Sequence, residues 1–196
     1  MLTDSPPRKA SLLKEYLASD QHLDLAVPGD ERLRIRAKAI ESAMEGGKAA
    51  AVIYACREFL VVASAFYNVP RPDVRILAAR PLRVREGGSS ELFGDYNPGT
   101  AVIRVWMRTA VRRQITSFGT FFSTLCHEVC HHLDCRRFGY SNSPHTRGFY
   151  HRAAALYHHA RATPFKRLAW VKMPRGRWRI DWRRMNQSAN APFAKS

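Results

Sequence analysis

An α+β fold is what this sequence predicts, and three observations carry the expectation. Caps and breakers divide the first 67 positions into helical stretches, among them an apolar run over residues 49–67. Between Pro70 and Ala110 the pattern changes to short extended runs with period-two alternation. Beyond them lies one amphipathic helix, whose apolar stripe leaves a pair of histidines on the opposite face. A chain of 196 residues, 45% of them hydrophobic, suits one ordinary domain with terminal extensions and excludes disorder throughout.

Residues 1–10 are Pro-rich and polar and read as loose, and residues 11–19 form a short helix before a connector that ends at Pro28-Gly29. Asp30 caps the next helix, with Glu31 in its first turn. Gly46-Gly47 interrupts it, and a further helix over residues 48–67 stops at Asn68-Val69-Pro70. Extended runs follow at residues 73–79, 82–85, 91–96 and 101–107, the last two joined as a hairpin by Asn97-Pro98-Gly99. Val102, Arg104 and Trp106 alternate with Ile103, Val105 and Met107, which places one strand face on a core. The expected sheet is small, three- to four-stranded, and antiparallel or mixed. Ser117 is the expected N-cap of the next helix, in which Phe118, Phe121, Phe122, Leu125, Val129 and Leu133 form the buried stripe. After a loop over residues 138–144 another helix spans residues 146–162 and ends at Thr163-Pro164. Residues 168–172 and 177–182 suit a strand pair, followed by a polar tail. The expected division is thus an N-terminal extension, 1–29, a central domain, 30–165, and a basic Trp/Arg-rich segment, 166–196.

The net charge of +16 is unevenly placed. Residues 1–135 carry 18 basic and 15 acidic side chains, whereas residues 136–196 carry 14 basic and one acidic. So basic a block attracts phosphate backbones, and Trp170, Trp178 and Trp182 add surfaces on which bases stack, so DNA or another nucleic acid is a candidate partner. A solvated basic face with its aromatics packed on the domain is the alternative. Residues 1–20 contain no secretory apolar run, and residues 49–67 are broken by Arg57 and Glu58, so a core helix, no membrane association and a cytoplasmic location are expected. Cys56, Cys126, Cys130 and Cys135 show no secreted disulfide framework, and Cys126 and Cys130, flanking the buried stripe, read as core thiols.

His127-Glu128-Val129-Cys130-His131 places two imidazoles one turn apart, so both reach one metal ion while Glu128 stands close enough to hold water. Counted from Phe118, His127 and His131 fall at roughly 180° and 220° around the helix, away from its stripe and toward a cleft. A catalytic zinc takes three protein ligands and leaves a fourth position open. No glutamate follows Glu128, and Asp134 and Arg137 stand three and six places after His131, where a Gly and a His would complete a longer motif. The remaining donors are His132, Asp134, Cys135, His145, His151, His158, His159 and Asp181. His132 points about 100° from His131, and Asp134 suits a hydrogen bond to a ligating imidazole better than ligation. His145, at the start of the following helix, is the preferred third ligand, with His151 or His158 as alternatives.

His127-Glu128-x-x-His131, the preceding Arg104-Val105-Trp106-Met107 and the following His145-Thr146-Arg147-Gly148-Phe149 resemble the SprT-like family of zinc metallopeptidases. That resemblance covers roughly residues 55–162 and implies a zincin-like, minigluzincin-like core. It also implies one zinc ion on His127, His131 and His145, with Glu128 as general base. It further implies a protein or peptide substrate, and, because family members are often associated with DNA, in some cases one bound to DNA. Two departures stand out. No cysteine follows Cys135 to build the family's four-cysteine ribbon, so any nucleic-acid contact falls to the Arg/Trp segment, and Thr146 stands where a glycine is frequent. The expected function is a zinc endopeptidase, and the alternative is a nucleic-acid-binding protein with a structural or inactive zinc site. An extended substrate would pair with the free sheet edge. Tyr140, Arg147, Tyr150 and His151 are all candidate oxyanion donors, with no choice among them.

Overall fold

The computed structural model describes residues 1–85 and 88–187, without the side chains of residues 83–90, 186 and 187. Its helices are α1 (Ala10–Gln21), α2 (Arg32–Glu45), α3 (Ala49–Tyr67), α4 (Phe118–Leu133), α5 (Arg147–Ala160) and α6 (Trp182–Gln187). The strands are β1 (Asp73–Ala79), β2 (Leu82–Arg85), β3 (Gly88–Glu91), β4 (Gly94–Asn97), β5 (Val102–Arg108), β6 (Trp170–Lys172) and β7 (Trp178–Ile180). The architecture is therefore mixed α and β, as the sequence predicts.

A three-stranded sheet runs in the order β1-β5-β4, with β1 parallel and β4 antiparallel to the central strand, and β2 pairs with β3 as a separate ribbon. Ile103, Val105 and Met107 alternate into the core from β5, while Arg104 on the other face is exposed. The expected strand over residues 91–96 is divided in two. Glu91 closes the ribbon opposite Leu82 and accepts from Arg80 Nη1 at 2.9 Å, Arg80 lies 3.9 Å from the Phe93 ring centre, and beyond that anchor the chain enters β4.

Helix α3 packs on β1, and α4 packs on β4, β5 and α5. Their shared core includes Phe59, Leu60, Ile103, Phe121, Phe122, Leu125 and Leu156, with the Phe59 and Phe122 rings edge to face at 5.2 Å. Each such buried side chain stabilises the fold by about 1.5–3 kcal/mol. Among the described residues α3 alone is long and apolar enough to cross a bilayer, yet Val52, Cys56, Phe59, Leu60 and Ala63 on it are core residues. It ends at Asn68, whose left-handed conformation (φ 50°) suits an asparagine C-cap. Helix α2 starts later than expected, at Arg32, but Asp30 Oδ1 still accepts the Arg32 N–H at 3.0 Å.

Both chain ends depart from expectation. The opening residues, read as loose, hydrogen-bond in extended form alongside β7: Ile180 N donates to Met1 O, Leu2 bridges to Arg179, and Thr3 N donates to Trp178 O. Thr3 is buried, and Trp178 N donates to its hydroxyl at 2.8 Å. The pairing of β6 with β7 agrees with the sequence reading, but α6 then replaces the start of the polar tail because Asp181 Oδ1 accepts the Arg184 N–H. The rest of that tail, residues 188–196, lies outside the described residues.

Candidate metal centre

Ser117 caps α4 through its side chain, accepting the Thr120 N–H at 3.3 Å, and the stripe from Phe121 to Leu133 is buried as the spacing requires. The opposite face then turns His127, Glu128 and His131 toward a cleft of about 490 Å³, lined also by Asp4, Gly94, Asp95, Tyr96, Ser143 and His145. His145 arrives from the residue before the Thr146 N-cap of α5, whose side chain accepts the Phe149 N–H at 3.0 Å.

Three imidazoles converge there. The Nε2 atoms of His127 and His145 lie 3.0 Å apart, and His131 Nε2 is 3.2 Å from each. A tetrahedral ion about 2.0–2.1 Å from each nitrogen would separate them by about 3.3 Å, so small ring movements fit the set to one metal ion. Of the third-ligand candidates, the structure brings His145 into this cluster. His132 instead bonds Pro70 O at 2.7 Å and the Tyr96 hydroxyl at 3.0 Å, as its wheel angle predicts. His151 accepts from Trp170 Nε1, His158 meets the Thr163 hydroxyl, Asp181 caps α6, and Cys135 Sγ donates to Ser141 O.

The surroundings keep two of the rings in the neutral form that a metal requires. Burial holds His127 well below the usual histidine range, helped by the neighbouring His131 and His145. Burial, with His145 adding, lowers His131 to about 3. The His131 Nδ1–H donates to Ser143 Oγ at 2.7 Å, which leaves its Nε2 lone pair facing the cluster. Ser143 in turn donates to Asp134 Oδ2 at 3.1 Å, and Asp134 is clamped by Arg152 Nη2 at 2.8 and 3.0 Å. Asp134 thus supports an imidazole through a serine, one step further out than the sequence suggested. Ser143 occupies the left-handed region at φ 37°, a conformation that costs a non-glycine residue energy and that this relay holds in place.

Glu128 is 4% exposed, and burial, reinforced by the Asp95 carboxylate, raises its pKa to about 8. Among the described residues its carboxylate has no hydrogen-bond partner. Gly94 on β4 is what makes room for it: a Cβ there would lie 2.9 Å from Glu128 Oε1 and 2.5 Å from Thr124 Cγ2.

All four oxyanion candidates have their polar groups engaged elsewhere, Tyr150 alone standing beside the histidines. Tyr140 donates to His22, Arg147 pairs with Asp20 and covers the Trp178 ring at 4.5 Å, and His151 is buried against Trp170. Tyr150 lies beside the histidines, its ring stacked on His145 at 5.8 Å, with its hydroxyl donating to Leu2 O. Of the tryptophans, Trp170 and Trp178 are half-buried and Trp182 is 51% exposed. The sequence reading passed over Arg152 and Asp4, since a mid-helix arginine and an aspartate in a polar leader give no local sign of their partners. No protein-family model, curated protein or solved structure matches the chain.

Proposed function

We propose that this protein is a zinc-dependent endopeptidase of SprT-like type with a zincin-like core, in which His127, His131 and His145 hold the ion and Glu128 is the general base. One observation carries the reading: three Nε2 atoms within 3.2 Å of one another and a carboxylate without a hydrogen-bond partner among the described residues line a single open cleft. A structural zinc site closes with four protein ligands, whereas this cluster holds three donors among the described residues. That favours catalysis over a purely structural role.

Zinc bound there supplies Lewis acidity and acidifies water. Glu128 takes the proton of the attacking water on its carboxylate and returns it to the leaving amine nitrogen. Gly94, Asp95 and Tyr96 lie on β4, one of the two edge strands of its sheet and part of the cleft wall. An extended polypeptide paired with that edge is held by main-chain hydrogen bonds with little side-chain selectivity, which suits a broad protein substrate. Recruitment to DNA-bound proteins rests on the 14 basic side chains of residues 136–196, and binding that weakens steeply with salt is its signature.

The test compares the zinc-loaded parent with Glu128→Gln on an unfolded protein substrate. Loss of about 10²–10⁴-fold in cleavage rate at unchanged zinc content is expected. A parent that cleaves nothing, or a variant as active as the parent, refutes the assignment.

A further inference from the structure

Each imidazole that ligates through Nε2 has a second nitrogen, and a carboxylate on that nitrogen fixes the ring and raises its basicity. His131 meets this need through Ser143 and Asp134. His145 meets it with a residue more than 140 positions away: Asp4 Oδ2 lies 3.4 Å from His145 Nδ1. The same carboxylate oxygen accepts the His145 backbone N–H at 2.9 Å, and Asp4 N donates to His145 O at 2.9 Å. Three contacts from one residue therefore grip both the backbone and the ring of residue 145. Asp4 is itself held by residues 1–3, which hydrogen-bond along β7, and by Tyr16, whose hydroxyl donates to Asp4 O at 3.1 Å.

We propose that Asp4 is a positioning residue for the third metal ligand, so that the N-terminal segment is part of the metal centre. The loop over residues 139–146 enters α5 with His145 half-buried; Tyr150 and Phe149 pack on its ring, but among the described residues Asp4 is the one polar partner at its Nδ1. The inference rests on the metal-site reading above, but not on peptidase activity.

Zinc affinity of the full chain, measured by chelator competition at neutral pH, tests it, with the visible spectrum of the cobalt-loaded protein reporting ligand geometry. Asp4→Ala should weaken zinc binding by about 10- to 100-fold and alter the cobalt bands. Asp4→Asn keeps an acceptor oxygen but no charge and should fall between the two. Thr3→Val removes the bond from Trp178 N and loosens the segment that carries Asp4 without touching the carboxylate, so its loss of zinc affinity should be clearly smaller than that of Asp4→Ala. Asp4→Ala within about twofold of the parent, or equal losses in Asp4→Ala and Thr3→Val, overturns the proposal. A parent that binds no zinc removes the metal site and this inference together, whereas zinc binding without peptide hydrolysis leaves the inference standing.

Discussion

Arg152 is the largest side chain with no exposure, and its guanidinium faces Asp134, equally buried, with further bonds to Ser19 O, Ser19 Oγ and His22 O. Removing one partner of such a pair costs more than the pair contributes, because the remaining charge is left uncompensated. Asp134→Asn should therefore lower the free energy of unfolding in urea by about 3–5 kcal/mol. A change below about 0.5 kcal/mol, the range of an ordinary surface substitution, would show that water already screens the site. The sequence placed Asp134 near a ligating imidazole from its position at the helix end, but nothing local linked it to Arg152. Charged residues on helices usually face solvent, and only the meeting of α1, α4 and α5 makes this one a core contact.

Helix α5 shows the same division at the scale of elements. Its start is legible, since Thr146 caps it, but what it crosses is not. Gly148 packs directly on the end of α1: a Cβ there would lie 2.0 Å from Ser19 O and 2.6 Å from His22 O. Both are backbone atoms, so the helices must separate to admit even a methyl group. Gly148→Ala should cost about 1–3 kcal/mol in thermal or urea unfolding, despite alanine's better helix propensity. A variant as stable as the parent would mean that α1 docks less tightly than the contact implies. Strands β1 and β5 and helix α3 were readable because each buries a face at its own period. The extended residues 1–3 have no period to read, since their order comes from backbone bonds to β7.

Across the whole molecule, burial lowers the pKa of seven histidines, His22, His127, His131, His132, His151, His158 and His159, and it is the leading cause at each. Below about pH 6.5 the unfolded chain binds protons at these positions while the folded chain resists them. Their stabilisation is therefore complete above that pH and is lost on acidification, down to about pH 3 for His131. Two carboxylates act in the opposite sense, because burial raises Glu128 to about 8 and Asp134 to about 6, so folding gains from their protonation as pH falls. These two offset part of the histidine loss, and the net charge of +16, which grows with every proton added, tips the balance toward unfolding. Each fully shifted histidine contributes a slope of up to about 1.4 kcal/mol per pH unit, and the half-buried ones less. The metal-free protein should accordingly unfold at a clearly lower urea concentration at about pH 5 than at about pH 7.5. Equal midpoints at the two values would show that these rings take up protons without unfolding, and that the cleft admits far more water than its geometry indicates.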